Sequence, residues 1–397
     1  MNDVETSLAV EPDAALASCS LRELTIYFLR LGTFGFGGPI ALAGYMQKEL
    51  VEDRRWFSKD DYVEGLALAQ LAPGPLAAQL AMYLGWVRGG VPGATLIGVA
   101  FVLPSFLMVL GLAALYLRFG GLPWMRGAFY GVGAAVIAII GRSVWKLGKL
   151  TLAKDRLLWI LFAVSAFVTA WTESEMVWLF LGGGVVAVLV KAPPKSRSSG
   201  AALSVIPVWT ISGLAGPASA ATLVTIAWYF AEAGAFVFGS GLAIVPFLHS
   251  GVVTRFGWLT EQQFLDAVAV AMITPGPVVI TVAFIGYLVA GPAGASVAAF
   301  ATFFPCYLFT VIPAPHFRRF AKNVSIKAFV DGVTAAATGA IAGAAFILGR
   351  RALVDAPTVL IALTTLGLFV RFKKLTEPLV IAAAGLAGIL IQGVISP

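Results

Sequence analysis

The sequence predicts an all-α, polytopic membrane protein made of two copies of one unit, set upside down to each other. Four observations predict it. Of the 397 residues, 59% are hydrophobic and only 12% charged, about half the charged share of a soluble domain. Apolar runs near the 20 or so residues that span a bilayer lie at 94–117, 128–145 and 294–313. The first half also recurs in the second. Tyr27-Phe28 returns as Tyr229-Phe230, Trp56 as Trp258, and Pro73-Gly74-Pro75 as Pro275-Gly276-Pro277, each 202 residues on. Lastly, loop charges alternate between the copies. Loops 47–61 and 142–156 and the linker residues Lys191, Lys195 and Arg197 are basic in copy one. Copy two is basic at the other loops, with Arg318, Arg319, Lys322, Lys327, Arg371, Lys373 and Lys374. Since basic loops stay in the cytoplasm, the copies are inverted about an axis in the membrane plane.

The tail 1–20 is acidic at Asp3, Glu5, Glu11 and Asp13 and lacks the basic start of a signal peptide. Repeat one covers 21–190, a Pro/Ser-rich linker 191–221, and repeat two 222–397. After a one-residue slip, Gly85, Gly93, Pro104 and Gly131 match Gly286, Gly294, Pro305 and Gly332. About five membrane segments per repeat, ten in all, satisfy the loops. Two choices stay open: whether Thr210–Trp228 is an extra crossing or a surface helix, and whether each PGP segment crosses fully or forms a re-entrant hairpin.

Each repeat is broken twice. The first break is Gly35-Phe36-Gly37-Gly38-Pro39, matched by Gly239-Ser240-Gly241; the second is Pro73-Gly74-Pro75, matched by Pro275-Gly276-Pro277. Proline lacks an N–H and clashes with the preceding turn, and glycine allows conformations closed to other residues. Hydrocarbon tolerates such backbone only where protein or a water-filled cavity surrounds it. Single breaks are common kinks in membrane helices; four at repeat-related positions point to function. Each restarted half-helix presents free N–H groups and roughly +0.5 charge, a ready anion site. Gathered at mid-depth, they form a cage suited to a small oxyanion, with hydrogen bonds from Thr33, Gln79, Ser240, Thr274 and Thr281.

The remaining ionisable candidates are few. Arg30 and its repeat mate Glu232 have opposite charge, for steering an anion or for pairing with each other; snorkelling of Arg30 is the plainer alternative. Glu64 and Asp266 are repeat mates able to carry protons, although a carboxylate near a helix start also suits the helix dipole. Cys19 and Cys306 lack metal or disulfide spacing, His249 and His316 stand alone, and no metal or cofactor is expected. Trp56 and Trp258 read as interfacial residues preceding the helix caps Ser58 and Thr260. An intramembrane enzyme would want a nucleophile beside a base or clustered metal ligands, and the sequence offers neither.

At residues 34–85 and 236–286, which contain FGFGGP, FVFGSG and both PGP turns, the chain resembles the chromate ion transporter family in its long-chain, two-repeat form. The resemblance runs from about residue 21 to the end. It implies export of chromate across the bacterial inner membrane, conferring resistance, with sulfate as the natural look-alike. Membrane potential, a proton gradient or both would drive the export. Repeat two departs at the first break, with Ser240-Gly241 for Gly38-Pro39. A sulfate or other oxyanion transporter and a lipid-phosphate flippase are the alternatives. Membrane lipid is an expected partner, nucleic acid is not, and a homodimer is left open.

Overall fold

The computed structural model describes residues 16–36, 38–119, 123–152, 155–172, 177–192, 219–236, 244–317, 323–372, 375 and 377–395. Among these the chain is helical, with no strand. Helix α1 (Leu21–Phe34) begins at a capping box between Ser20 and Glu23, which satisfies two orphan donors at once. Helix α2 (Gly38–Met46) follows and continues as a π-helical turn, Gln47–Asp53. The chain has doubled back: the Arg54 guanidinium lies 5.7 Å from the Tyr27 ring centroid on α1. Repeat two does the same with α8 (Ala220–Ala235), α9 (Ile244–His249) and the π turn Ser250–Arg255. There Tyr229 Oη donates to Phe247 O at 2.6 Å.

A second hairpin follows in each repeat. Helix α3 (Lys59–Leu71), capped by Ser58, leads through Pro73-Gly74-Pro75 into α4 (Leu76–Phe119). Gly65 packs against Leu80 and Tyr83. In one straight helix residues 65 and 83 would stand about 27 Å apart, so PGP is a hairpin turn. Helix α10 (Glu261–Ile273), capped by Thr260, leads likewise through the second PGP into a 3-10 turn, Val278–Ile280, and α11 (Thr281–Val311).

Helix α4 is itself folded. The backbone leaves helical geometry at Gly89 and Gly90, and Gly85 and Met82 then lie against Gly93 and Gly98. Residues eight apart in a straight helix are separated by about 12 Å, so α4 has two antiparallel arms, 76–88 and 91–119. The first arm, about 20 Å long, goes only part way through a hydrocarbon core of about 30 Å. Helix α11 turns back at Ala290-Gly291, with Gly286 against Gly294. Pro92 and Pro292 open the two long arms, where a missing N–H costs little. The choice left open by the sequence is resolved: both PGP segments are re-entrant hairpins.

Each repeat ends in a long helix and two shorter ones. In repeat one these are α5 (Pro123–Thr151), α6 (Arg156–Thr172) and α7 (Val177–Lys191). Repeat two has α12 (Val324–Ala352), α13 (Ala356–Arg371) and α14 (Glu377–Ile395). The pairs are exchanged. Helix α5 packs on α13 and α14, while α12 packs on α6 and α7. Small residues permit the approach: Gly131 against Ala384 and Gly388, Gly332 against Gly183, Gly339 against Phe162. The repeats therefore interlock.

They are also inverted. Thr95, near the start of the long arm of α4, hydrogen-bonds at 2.7 Å to Tyr307, near the end of α11. Phe106 and Ser296, equivalent to Tyr307 and Thr95, line the other end of the same cavity. Equivalent arms thus run antiparallel. Following the helices from there puts Lys59, Gly89, Asp155, Lys191, Val324 and Arg371 at one face. Phe119, Thr172, Ser219, Glu261, Arg351 and Asp355 lie at the other. Among the described residues, four helices are long and apolar enough to cross a membrane (Leu76–Phe119, Gly127–Lys146, Val278–His316, Val324–Ala352), with four shorter apolar helices beside them. Of the stretch Thr210–Trp228, residues 210–218 lie outside the described residues, and the rest belongs to the start of α8 and its cap.

Candidate functional site

The hairpin tips meet between the repeats. Gly276 N, in the PGP turn of repeat two, donates to Gly35 O at the first break of repeat one, 2.9 Å away. Ser105 fastens the junction. Fully buried and midway along the long arm of α4, its Oγ lies 2.8 Å from Pro275 O and 3.2 Å from Gly32 O. The Ser105 equivalent is Cys306, whose Sγ lies 3.5 Å from Gly234 O. The matching tip in repeat two, with Gly239, Ser240 and Gly241, lies outside the described residues, as does Gly37.

Around the other PGP turn, Gly74 and Pro75 are buried and Pro73 is half-buried. Gln79 is fully buried, its amide resting on Gly74. Its Nε2 donates to Pro73 O at 2.7 Å and its Oε1 is buried without a partner among the described residues. Ala78 N and Gln79 N both bond to Pro75 O, at 2.9 and 3.0 Å; the first N–H groups of such a helix have no intrahelical acceptor. Gly38 and half-buried Pro39 open α2.

The hydroxyls expected to line a cage are engaged locally in this conformation. Thr33 donates to Leu29 O at 2.7 Å, Thr274 to Ala271 O at 3.0 Å, and Thr281 to Val278 O at 2.8 Å. Thr274, Pro275, Gly276 and Pro277 are all buried. The tips are therefore closed against each other, with their polar groups satisfied chiefly by backbone carbonyls.

The charged candidates separate. Arg30 is exposed on α1 and Glu232 half-buried on α8; no ion pair joins them among the described residues. Glu64 is half-buried on α3. Asp266 is 3% exposed and accepts from Tyr116 Oη at 2.7 Å and Gln262 Nε2 at 2.8 Å. Above it, His249, assigned no role from sequence, lies 2.7 Å from Glu261, which also pairs with Arg351. Sequence reasoning passed over Ser105, although one hydroxyl midway along an apolar segment, with cysteine at the repeat-related position, was a readable signal.

Comparison with known proteins agrees with this architecture. The family model described as "Chromate transporter" matches twice, at residues 22–188 and 224–389. A chromate transport protein of Cupriavidus metallidurans is 61% identical over 94% of this chain and 93% of its own length. A probable chromate transport protein of Synechococcus elongatus is 56% identical over 98% and 99%. One from Pseudomonas aeruginosa is 33% identical over 94% and 92%. No solved structure matches the chain. Two tandem matches on two interlocked, inverted copies leave one assignment: the chain belongs to the chromate transporter family.

Proposed function

We propose that the protein exports chromate across the bacterial inner membrane. The observation that carries this reading is the junction at Ser105, where broken hairpins of opposite orientation bring their tips together. The names of the relatives support the substrate. The face bearing Lys59, Lys191 and Arg371 takes the cytoplasmic side, because the basic loops of both repeats gather there.

A dianion cannot enter hydrocarbon without compensation, since an unpaired charge there costs many kcal/mol. The tips supply the compensation as backbone N–H groups at half-helix starts. In the closed conformation Gly276 N is taken by Gly35 O. Rocking the repeats apart frees that donor for an oxyanion oxygen, and the antiparallel arrangement makes the motion at one face the mirror of that at the other. Expelling two negative charges from a cell about 100 mV negative inside yields about 4.6 kcal/mol, worth about a thousandfold gradient.

The test is radiolabelled chromate uptake by inside-out membrane vesicles, with potential and pH gradient collapsed separately. Uptake that falls when the potential is removed supports the reading; no uptake with both gradients intact overturns it. Excess sulfate in the same assay decides whether the site prefers chromate or accepts any tetrahedral dianion. The lipid-phosphate alternative would need a cavity open sideways to lipid; the described cavity of about 520 Å³ between the long arms of α4 and α11 is walled by Val99, Val102, Leu103, Phe300, Phe303 and similar side chains, which offer a phosphate no charge.

A further inference from the structure

A ladder of titratable groups runs inward from the outer mouth of the repeat-two hairpin, and repeat one does not reproduce it. At the mouth, His249 and Arg351 flank Glu261, the first residue of α10. His249 is itself buried, at 3% exposure. About 7.5 Å deeper along the same helix stands Asp266, held by Gln262 from its own helix and Tyr116 from α4. The PGP turn lies about two helical turns further on. The repeat-one counterparts are Gln47, Lys59, Asp60 and Glu64 for His249, Glu261, Gln262 and Asp266. Leu150 and Phe317 stand for Arg351 and Tyr116.

We propose that protons enter the transport cycle through repeat two alone, passing the His249–Glu261 pair and loading Asp266, whose state reaches the junction through Tyr116. The inference rests on the transport reading above and deepens it. Among the described residues no cation lies at the Asp266 oxygens; both are held by neutral donors. Among the described side chains, the charges on the elements packed against α10 lie against other groups; Arg126 of α5 is outside them. Arg142 and Lys146 of α5 face Glu377 of α14, and Arg142 also covers the Phe369 ring at 4.4 Å. Lys149 lies over Trp145, Arg118 over Phe119, and Arg255 over Phe256. Helix α11 adds no charge, only Tyr287 and Tyr307. A carboxylate buried without a cation is costly when charged, and in a membrane protein an ionisable group so placed marks a proton or ion path.

Position supports coupling. Tyr116 and Ser105 share the long arm of α4, so the helix that holds Asp266 also holds both hairpin tips. The mouth bearing His249 opens on the face opposite the basic loops. A proton taken up there and released to the cytoplasm moves down its gradient as the oxyanion leaves. Each cycle returns Asp266 to its starting state.

The test uses inside-out vesicles carrying the full chain, with the potential clamped at zero by potassium and valinomycin. The lumen is acid by about one pH unit, which for one proton per ion sustains about a tenfold chromate gradient. Wild-type protein should reach such a gradient, and added chromate should draw protons out of the lumen, read with a pH-sensitive dye. In Asp266→Asn the ratio of pH-driven accumulation to chromate–chromate exchange should collapse; Tyr116→Phe should lower it, and Glu64→Gln should keep it. Proton-silent wild-type transport, or an unaltered ratio in Asp266→Asn, overturns the proposal. Equal loss in Glu64→Gln overturns its one-sidedness. Should Asp266→Asn fail to insert, the wild-type dye signal and Tyr116→Phe decide. Exchange without proton movement sinks only this inference, whereas absence of chromate exchange sinks the transport reading.

Discussion

The two PGP turns share a sequence but are held by different means. In repeat two, Gly276 (φ +96°) is bonded through its backbone to Gly35 and packed under Ser105. In repeat one, Gly74 (φ +140°) is covered by the amide of Gln79. Backbone and a buried hydroxyl cannot step aside; a glutamine side chain can change rotamer. Duplication therefore supplied two equivalent turns, and divergence made one a clamp between repeats and the other a turn beneath a movable cover.

The largest effect should come from breaking the clamp. A Cβ at Gly276 would collide with Ser105 Oγ, while one at Gly74 meets only the far end of Gln79. Both substitutions carry a positive-φ cost of about 1–2 kcal/mol, and Gly276→Ala adds about 1–3 kcal/mol of overpacking. Gly276→Ala is expected to abolish vesicle uptake and lower the melting temperature sharply. Gly74→Ala should leave measurable transport. Equal losses would mean that the turns are equivalent after all.

Ser105 and Cys306 sharpen the same contrast. Ser105→Ala leaves Pro275 O without its hydroxyl donor, a loss of about 1–3 kcal/mol. Cys306→Ala removes only a weak thiol contact, at 3.5 Å to Gly234 O and 3.2 Å to Thr302 O. Thermal unfolding in detergent should rank wild type close to Cys306→Ala, with Ser105→Ala well below and Ser105→Cys between them. A Cys306→Ala protein as unstable as Ser105→Ala would refute the ranking.

Much of this was legible because repetition carries its own register. The 202-residue offset located both pairs of breaks, and loop charge gave the inversion that Thr95–Tyr307 makes concrete. Two features were not legible. The folding back of α4 and α11 depends on the backbone at Gly89-Gly90 and Ala290-Gly291, just ahead of the apolar runs, where a Gly/Pro-containing stretch reads equally well as a kink or as a turn. The exchange of terminal helix pairs depends on which small-residue faces meet; Gly131 pairs with Ala384 rather than with a residue of its own repeat, and no local pattern encodes that. Asp266 was visible as a carboxylate, but its partner Tyr116 is 150 residues away and absent from the equivalent position of repeat two, where Phe317 stands.

A smaller difference separates the first hairpins. Tyr229 Oη donates to Phe247 O at 2.6 Å, whereas the equivalent Tyr27 Oη is buried with no partner among the described residues. Tyr229→Phe should cost about 1 kcal/mol by removing that bond. Tyr27→Phe should be neutral or stabilising, because it removes an unsatisfied buried hydroxyl. Chemical denaturation of the two variants side by side checks this; a destabilised Tyr27→Phe would require a partner for that hydroxyl.

The smallest effects lie at the caps of α6 and α13. Asp155 accepts from Leu157 N at 2.9 Å and pairs with Lys191 at 2.5 Å. Asp355 accepts from Thr358 N at 2.9 Å and from Tyr130 Oη at 2.6 Å. The Lys191 hydrogen bond holds Asp155 below the ordinary Asp value of 3.8, and the Tyr130 hydroxyl does the same for Asp355. A folded value below the unfolded one adds stability that is full above the ordinary value and disappears as pH falls through the folded one. Both side chains reach solvent, so each contribution is about 1 kcal/mol or less. Salt tells them apart: the Asp155–Lys191 ion pair is screened, whereas the bond from the neutral Tyr130 hydroxyl is far less so. Asp155→Asn should therefore flatten both the acid limb and the salt dependence of the melting temperature, while Asp355→Asn flattens the acid limb alone. Loss of salt dependence in Asp355→Asn would show that an unseen cation, rather than Tyr130, governs that cap.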